Sequence, residues 1–413
     1  MNPSFFQLPK SLRRSLTPLV LSAVASLSLQ ADWTQFRGAG GDSLQPSGRV
    51  PSVLSTNSLV WSLPLPGRGI SSPIVVGDRV FLTSSSGGRQ ERLHVLCYNL
   101  SDGSLRWERK FWATGRTMTH EKISSAAPSP ASDGRAIYAL FSSNDCVALD
   151  LDGNLIWYRG LGRDYPNASN SLGMASSLAV VDGVVVAQVE NDSESFTAGL
   201  DAKSGLNVWK LDRPKKANWT SPFAFREADG RTSVILQSSK GVVAVDPKTG
   251  KTRWNYADGA STLPSTTPAG GRLYVPSQGL TVLEPAADGT LKQVWRSAQL
   301  RPGTASPVVL GERVFTLNDG GILTCGDTKD GRRLWQLRLK GAFSATPVSA
   351  GGFLYCVNED GLVQVVDPNA PSGAVVSELP LKDIIVGTPS IAGDSLFVRS
   401  DKRLWRIGRN SAL

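Results

Sequence analysis

Short hydrophobic runs, separated by turns rich in glycine and aspartate, follow one another along most of the chain. The stretch from Val242 to Trp254, VVAVDPKTGKTRW, shows the pattern most clearly, because a β-branched run, a turn and a second strand follow in order. Pro247 presets φ for a turn, and Gly250 can adopt the positive φ that a hairpin exit requires. The side chain of Asp246 can accept hydrogen bonds from N–H groups of the turn. The stretch therefore predicts a β-hairpin.

This hairpin recurs along the chain. The Gly-x-x-x-Trp ending occurs five times, and a slipped version runs from Gly289 to Trp295. From Trp61 to Trp335, the tryptophans of the repeat, which exclude Trp112 and Trp219, are 46, 50, 52, 45, 41 and 40 residues apart. This spacing is typical of four-stranded propeller blades of about 40–50 residues. We expect these tryptophans to pack their large rings between neighbouring sheets. The predicted blade-docking residues are Trp61, Trp107, Trp157, Trp209, Asp246, Gly250, Trp254, Trp295 and Trp335.

A second mark, a small residue followed by proline, opens a strand ahead of each hairpin. Proline is tolerated at the first residue of a strand because its missing N–H interrupts no ladder. The marks are Ser72-Pro73, Ala127-Pro128, Ser221-Pro222, Thr267-Pro268, Ser306-Pro307, Thr346-Pro347 and Thr388-Pro389, with Ser176-Ser177 in the position that lacks proline. Eight marks predict eight blades.

The two ends of the repeat region are complementary. The eighth unit ends at Leu404–Ile407 without a tryptophan hairpin, whereas Leu59–Leu65 is a tryptophan strand with no blade ahead of it. Pairing the two would remove the open edge of the ring. The sequence thus predicts an all-β fold, an eight-bladed β-propeller of four-stranded antiparallel blades closed by an N-terminal strand that completes the last blade. We assign residues 58–413 to this propeller.

The repeat resembles a known family. The pattern Ala244-x-Asp246-x-x-Thr249-Gly250-Lys251-x-x-Trp254 is similar to the tryptophan-docking repeat of the PQQ-like, or quinoprotein alcohol dehydrogenase-like, β-propellers. That family contains quinoprotein dehydrogenases and non-catalytic secreted members, among them the assembly lipoprotein of the BAM complex. The resemblance implies the fold over about Leu59 to Ile407. It says little about function, because the repeat joins blades together and performs no chemistry.

The N-terminus has the layout of a secretory signal peptide. Residues 1–31 contain no acidic residue, and Lys10, Arg13 and Arg14 precede the apolar run Leu16–Leu29. We therefore predict export to the periplasm or beyond, with no later apolar run long enough to span a membrane. Removal of the signal lowers the formal charge from +9 to +6. The positive charges are scattered, which is typical of a contribution to solubility, and we do not expect an exported protein to bind nucleic acid. We also expect a monomer.

Residues 32–57 form a predicted N-terminal cap. The segment opens with DWTQFRG, which is similar to the W-x-x-F-R-G opening of many secreted proteins with PQQ-like repeats. We expect Trp33, Phe36 and Arg37 to pack the cap onto the rim of the propeller, with Arg37 paired to a carboxylate.

Four cysteines are spread over the chain, at Cys97, Cys146, Cys325 and Cys356. Export permits disulfides, but no spacing here resembles a disulfide framework or a CxxC site. Cys97 and Cys325 lie ten residues before a tryptophan, where Ala244 lies in the best repeat. We favour free, buried thiols that act as small apolar residues.

The loops that lead from one blade to the next open on one face of a propeller. Three of them are long and rich in polar and aromatic residues, Lys110–Ala126, Gly160–Ala175 and Lys210–Thr220, whereas later ones such as Arg296–Ala305 are shorter. Long loops on a rigid scaffold commonly carry binding sites. The candidate partner-binding residues are Trp112, Arg116, His120, Glu121, Arg163, Asn170, Asn218, Trp219 and Arg301.

Groups suited to catalysis are few. Of the two histidines, His94 lies in a predicted strand, so a Ser-His-Asp triad or a histidine metal site would depend on His120 almost alone. His120-Glu121 is the best acid–base candidate. Glu190-Asn191-Asp192 has the residue types that hold calcium in quinoprotein dehydrogenases, but three consecutive residues do not easily converge on one ion. We predict no metal site.

Three functional hypotheses follow. The first is an exported, non-catalytic scaffold that binds an envelope protein or polysaccharide through the long-loop face. The second is a PQQ-dependent oxidoreductase of alcohols or sugars. Against it, the chain has neither the vicinal cysteine pair of the catalytic family members nor a CxxCH haem site. No motif supports PQQ or Ca²⁺, and we predict no cofactor. The third is a polysaccharide-binding module that would use the loop aromatics Trp112, Tyr165 and Trp219.

Overall fold

The computed structural model describes Met1, residues 32–169 and residues 172–409. The predicted signal peptide, apart from Met1, and Asn170 lie outside the described residues. Eight sheets of four antiparallel strands follow one another along the described chain, and one of them carries a short fifth strand. The predicted eight-bladed all-β propeller is confirmed.

The strands of each blade are given from the innermost outwards. Blade 1 consists of Ile74–Val76, Arg79–Ser86, Arg92–Asn99 and Leu105–Trp112, blade 2 of Ala131–Ser132, Ala136–Leu140, Asp145–Asp150 and Leu155–Gly160, and blade 3 of Ala179–Val181, Val184–Val189, Phe196–Asp201 and Asn207–Asp212. Blade 4 consists of Phe223–Arg226, Thr232–Ser238, Gly241–Val245 and Thr252–Tyr256, and blade 5 of Thr267–Ala269, Arg272–Ser277, Gly279–Pro285 and Leu291–Ser297.

The last three blades follow the same order. Blade 6 consists of Val308–Leu310, Arg313–Leu317, Ile322–Asp327 and Arg333–Arg338, blade 7 of Val348–Ala350, Phe353–Val357, Leu362–Asp367 and Ala374–Pro380, and blade 8 of Ser390–Ala392, Ser395–Arg399, Arg403–Gly408 and Leu59–Pro64. The remaining elements are the strand Leu44–Gln45, the 3-10 turn Thr56–Ser58 and the short helix Leu161–Asp164. The described part of the chain contains no helix long and apolar enough to cross a membrane.

The ring is closed as predicted. Leu59–Pro64 pairs antiparallel with Arg403–Gly408, so Trp61 lies opposite Arg406 as part of the outer strand of blade 8. Because the first and last parts of the repeat region share one sheet, the closure leaves no unpaired strand at the junction.

Tryptophans of the outer strands join most blades to the next one. Trp209 of blade 3 donates its indole N–H to the carbonyl of Pro247, in the turn of blade 4, at 2.7 Å. Gly250 in that turn has φ +69°, and a Cβ there would come within 2.9 Å of the Trp209 ring. Equivalent indole N–H bonds of 2.9–3.0 Å are made by Trp61, Trp107, Trp157 and Trp295.

The junction of blades 4 and 5 departs from this pattern. The turn of blade 5 carries the slipped glycine, Gly289, which lies nearest the carbonyl oxygen of Arg253 and not against the Trp254 ring. Trp254 is buried, yet its indole N–H has no hydrogen-bond partner in the described part of the chain. The junction of blades 4 and 5 therefore lacks the indole hydrogen bond and keeps only the apolar packing of the tryptophan ring.

The core lies between neighbouring blades, because each sheet packs one face against the preceding blade and the other face against the following blade. Tyr138 and Trp157 of blade 2, for example, pack with Val185 and Phe196 of blade 3 in one apolar cluster. The four cysteines belong to these layers and are free and buried, as predicted. Burial raises the pKa of each thiol to about 12.

The N-terminal segment takes a path that the sequence did not indicate. Trp33 exchanges two backbone hydrogen bonds with Val75 of blade 1, and Leu44–Gln45 pairs in parallel with Ser349–Ala350 of blade 7. Between these points Gly41 lies against Phe223 of blade 4. The segment therefore crosses one end of the central channel from blade 1 to blade 7, where we had expected a cap packed onto the rim of the propeller.

Candidate binding site in the central channel

Eight hydroxyl side chains form a ring around the channel. Each lies two residues before the innermost strand of its blade, and the ring consists of Ser72, Ser129, Ser177, Ser221, Ser265, Ser306, Thr346 and Thr388. Seven of them accept the backbone N–H of the ring residue in the preceding blade at 2.8–3.1 Å. At the junction of blades 8 and 1, the Ser72 hydroxyl instead donates to the Thr388 carbonyl at 2.7 Å. We call this set the hydroxyl ring.

The hydroxyl ring explains why a small residue recurs ahead of each blade, and it shows that this residue was assigned to the wrong position in two blades. In blades 2 and 5 the residues that occupy the ring are Ser129 and Ser265, two positions from the predicted Ala127 and Thr267. Proline follows the ring residue at six blades, but Thr266 follows Ser265 and Leu178 follows Ser177. The required feature is a hydroxyl that can accept a neighbouring N–H, and proline only accompanies it.

A second ring lies two residues earlier in each blade and borders the same cavity. Its members are mostly apolar, namely Ile70, Ala127, Ala175, Trp219, Leu263, Thr304, Ser344 and Val386. We call this set the apolar collar. Together the two rings enclose a cavity of about 540 Å³, within the range of about 300–1,000 Å³ typical of small-molecule pockets.

The N-terminal segment forms the floor of this cavity. Phe36 lines the cavity, and the neighbouring Arg37 is buried in the protein. The Arg37 guanidinium donates to the Ser43 hydroxyl at 3.2 Å, to the Thr266 carbonyl at 3.1 Å and to the Thr267 hydroxyl. These hydrogen-bond partners are neutral, and Asp42 acts on Arg37 only at longer range, so the expected pairing of Arg37 with a carboxylate is wrong. Burial lowers the pKa of Arg37 to about 10, which leaves it charged at neutral pH.

The mouth of the cavity carries charged groups from two distant loops. Lys122, between blades 1 and 2, pairs with Glu359 of blade 7 at 3.0 Å, and Glu359 also accepts a hydrogen bond from Ser344 at 2.6 Å. Burial would raise the pKa of Glu359, but these two hydrogen bonds lower it overall. The ion pair therefore bridges the mouth beside blade 8. Asp319 lines the cavity as well and accepts the N–H of Thr304.

Two of the predicted partner-binding residues line the cavity. His120 is exposed at the mouth, and its backbone N–H donates to the Leu172 carbonyl at 3.0 Å, which joins two of the long loops. Trp219 belongs to the apolar collar and donates its indole N–H to the Gly173 carbonyl at 2.8 Å. The long-loop face and the open end of the channel are therefore the same surface.

Asn218, next to Trp219, points into the protein. Its amide donates to Glu190 at 3.0 Å, and Arg213 pairs with the other oxygen of that carboxylate at 2.6 Å. Burial raises the pKa of Glu190, although both partners oppose the shift. Glu190 is thus held by its own neighbours, and the adjacent Asp192 accepts the N–H of Ala217 instead. The stretch does not present converging oxygens that would fit a calcium ion.

The other predicted residues lie away from the cavity. The exposed Trp112 ends the outer strand of blade 1 with the Arg92 guanidinium over its ring, and Arg116 lines a smaller depression of about 240 Å³. Glu121 and Arg301 are exposed on loops, and Arg163 is exposed on the short helix Leu161–Asp164. Asn170 lies outside the described residues.

Strand pairing produces one constellation that sequence reasoning missed. His94 lies between Ser86 and Glu108, with 2.7 Å from Nε2 to the serine hydroxyl and 2.7 Å from Nδ1 to the carboxylate. The order is that of a hydrolase triad, but Ser86 does not line the channel cavity. A Cβ on the following Gly87 would come within 2.5 Å of the Glu91 carboxylate, a charge that would oppose an oxyanion. The three side chains tie three strands of blade 1 together.

Comparison with known proteins agrees with the repeat and the fold. The family model described as outer membrane protein assembly factor BamB matches residues 38–188, 167–275 and 277–373. A polyvinylalcohol dehydrogenase from Sphingopyxis sp. (strain 113P3) is 27% identical in an alignment of 278 positions that covers 55% of this chain and 40% of that protein. BamB of Moranella endobia (strain PCIT) is 24% identical over 175 residues, 42% of this chain and 39% of that protein.

The matched stretches span less than half the length of these curated relatives. Among solved structures, BamB from Moraxella catarrhalis superposes with a TM-score of 0.61 at 18% identity, covering 86% of this chain and 98% of that one. At this identity the superposition speaks for the fold alone. The family model, in contrast, matches most of the repeat region in three overlapping or adjacent segments. The chain therefore belongs to the PQQ-like β-propeller family whose model is described as outer membrane protein assembly factor BamB.

Proposed function

We propose that this chain is an exported, non-catalytic scaffold that binds an envelope protein through its long-loop face. The observation that carries the proposal is a group of large apolar side chains exposed around the cavity mouth. Leu172 and Leu263 line the cavity and remain 45% and 49% exposed, and Met118 and Ile384 on neighbouring loops are 52% and 73% exposed. Exposed apolar groups gathered on one rigid face commonly mark an interaction site.

The positions of these four side chains support binding of a partner. They lie on four different connections between blades, so a single partner that covers the mouth would contact all of them. The scaffold beneath is rigid, because the hydroxyl ring and the docked tryptophans join each blade to the next. The mouth would therefore need little rearrangement on binding.

Family membership and the N-terminal layout support the type of partner and the location. The relatives are of two kinds, outer membrane protein assembly factors and dehydrogenases. Similarity to the assembly factors favours a protein partner. The signal-peptide layout of residues 1–31 supports the periplasm or the cell exterior as the place of action. We propose that the protein works there as a monomer.

Site-specific photocrosslinking in the native envelope tests this proposal. A photoreactive phenylalanine derivative at Leu263, or separately at Leu172, should yield a discrete adduct with one envelope protein. Leu206 provides the matched control, because it is 66% exposed beside the outer strand of blade 3, away from the mouth. The same adducts from Leu206, or none from either mouth position, would refute the assignment of the face.

The main alternative is a PQQ-dependent oxidoreductase, which the polyvinylalcohol dehydrogenase relative favours. Glu190 and Asp192 are engaged by Arg213, Asn218 and Ala217, so this stretch offers no fit to the calcium that such a cofactor would require. Calorimetric titration with PQQ and Ca²⁺, followed by dye-linked oxidation of glucose and polyvinyl alcohol, decides between the two. Saturable binding with turnover would replace the scaffold proposal.

A polysaccharide-binding module is the remaining alternative. The exposed Trp112 offers a ring for stacking, but Arg92 already lies over it at 5.3 Å, and Tyr165 packs against Phe196. Trp219 is the aromatic side chain of this set that faces the cavity. Binding on a glycan array that is lost in Trp219→Ala would favour this alternative.

A further inference from the structure

The hydroxyl ring presents unused hydrogen-bond donors to the cavity. Seven of its eight oxygens accept a neighbouring N–H, and none of these seven hydroxyls donates to an acceptor in the described part of the chain. All eight are buried and border the same space. A serine or threonine hydroxyl that accepts one bond still has a proton to donate. The base of the cavity is therefore a circle of donors without matching acceptors.

Two buried positive charges lie beside these donors. Arg37 bonds to residues 266 and 267, directly after the ring member Ser265, and Arg399 donates to the Ser71 hydroxyl at 2.9 Å, directly before the ring member Ser72. Asp42 and Asp401 act on these two charges electrostatically, but neither guanidinium forms an ion pair among the described residues, and one terminal nitrogen of Arg399 has no hydrogen-bond partner. Both guanidinium groups lie just outside the residues that line the cavity, and the positive charge behind its wall adds to the preference of the hydroxyl donors for an anion.

The upper part of the cavity has a different chemistry. Most of the apolar collar consists of aliphatic or aromatic side chains, and the two acidic residues that line the cavity, Asp319 and Glu359, engage Thr304 and Lys122. A ligand that fits both levels would carry an anionic, acceptor-rich head for the ring and an apolar group for the collar. The volume of about 540 Å³ holds only the end of a longer chain.

We propose that the channel cavity captures the carboxylate end of an apolar chain, which in a protein partner is the C-terminus. A carboxylate can accept several hydrogen bonds at once, and charge-assisted bonds are stronger than neutral ones. Capture of a terminal carboxylate by clustered donors is a recurring mode of peptide recognition. This inference rests on the proposed binding of an envelope protein at the long-loop face and specifies which part of the partner enters the cavity.

Fluorescence anisotropy with defined peptides tests the proposal on the mature protein. The probe is a hexapeptide labelled at its N-terminus and ending in Val-Leu with a free carboxylate. The matched probes are the same peptide with a C-terminal amide and one ending in Asp-Asp with a free carboxylate. We expect the amide to bind at least about tenfold more weakly, because hydrogen bonds to a charged group would be lost. The Asp-Asp peptide should also bind more weakly, since it lacks the apolar group.

A variant that fills the cavity tests whether the peptide binds there. Ala175→Trp adds a large ring to the apolar collar, where Ala175 faces the cavity, and should abolish binding of the acid peptide. Ala286→Trp is the matched control, because Ala286 is exposed on the turn of blade 5, outside the cavity. Both variants should unfold at the same denaturant concentration as the parent protein, which shows that the effect is local.

Each outcome has a clear meaning. Equal binding of acid and amide, no binding of the acid peptide, or full binding by Ala175→Trp would overturn the proposal. Decanoate is the third arm, because it carries the same chemistry without a peptide. If decanoate binds and the peptide does not, the occupant is a free aliphatic acid and the partner's C-terminus is ruled out. Photocrosslinking at Leu263 that persists when these peptides fail would leave the proposed scaffold function standing.

Discussion

The indole N–H of the docking tryptophans should contribute measurably to stability, and the chain contains its own control. Trp209→Phe removes the hydrogen bond of 2.7 Å to the Pro247 carbonyl together with part of the ring. Trp254→Phe removes the same atoms at a buried site where the N–H has no partner. The exposed fractions are 7% and 5%, so the cost of lost ring volume is similar and cancels in the comparison.

The expected difference follows from the bond that only Trp209 makes. A buried hydrogen bond contributes about 0.5–1.5 kcal/mol net, and leaving its acceptor unsatisfied costs about 1–3 kcal/mol. We therefore expect Trp209→Phe to lose about 1–3 kcal/mol more unfolding free energy than Trp254→Phe. For a chain of this length the corresponding difference in Tm is only a few degrees, so chemical denaturation is the more sensitive measurement.

Guanidinium unfolding followed by far-UV circular dichroism measures this difference without relying on tryptophan fluorescence. Both variants should share one denaturant slope with the parent, so that a shift in midpoint reports stability. If the two substitutions cost the same within about 0.5 kcal/mol, the indole N–H bonds contribute nothing. The tryptophans would then join the blades through apolar packing alone.

Three further results are expected. Gly250→Ala should cost about 1–2 kcal/mol more than Gly289→Ala in the same unfolding assay, because both have positive φ but only the first Cβ would press on a docked ring, that of Trp209; equal costs would contradict this. A thiol reagent at pH 8 should label none of the four cysteines in the native protein and all four after unfolding, because burial raises each thiol pKa to about 12; fewer than four after unfolding would indicate a disulfide. Asp246→Asn should be less stable than the parent at neutral pH, and the difference should disappear as the pH falls below about 4. The reason is that burial would raise the pKa of Asp246, but hydrogen bonds from Arg253 and Thr249 lower it overall. A constant difference down to pH 2 in acid titrations would contradict this.

The sign of the acid effect follows from linkage. A carboxyl group whose pKa is lower in the folded than in the unfolded state stabilises the fold at pH values above its unfolded pKa. That contribution is lost as the pH falls through the folded pKa. Asp246 accepts hydrogen bonds from the N–H groups of residues 248 and 249 at 3.0 and 2.9 Å, so protonation removes acceptors on which the turn depends.

The candidate site was accessible to sequence reasoning only in part. The loop pattern put His120 and Trp219 on one predicted face, and the structure shows that both line the cavity. The hydroxyl ring was partly visible as the small-residue marks, since serine or threonine recurs at its positions. In blades 2 and 5, however, the neighbouring Ala127 and Thr267 also fit the pattern, and sequence spacing could not choose between them. Aligning each mark two residues before the innermost strand would have found Ser129 and Ser265.

Local interactions determined what the sequence could establish by itself. The eight repeats, the turn at Asp246–Gly250 and the closing strand Leu59–Pro64 follow from short-range patterns of turn residues and alternating hydrophobicity, which act within a few residues. A closed ring of such units has one solution that leaves no edge unpaired. The fold and the docking role of the tryptophans were therefore predictable.

Only the tertiary structure decided how distant segments meet. The N-terminal segment crosses the channel, Arg37 bonds to blade 5, and Ser86, His94 and Glu108 come together across three strands. Each of these contacts joins residues whose spacing in the sequence carries no local signal. The cavity itself exists because eight blades place equivalent residues around one axis, so sixteen side chains far apart in the sequence form two rings. Its chemistry is a property of the closed ring, since no single blade contains a donor circle or an apolar collar.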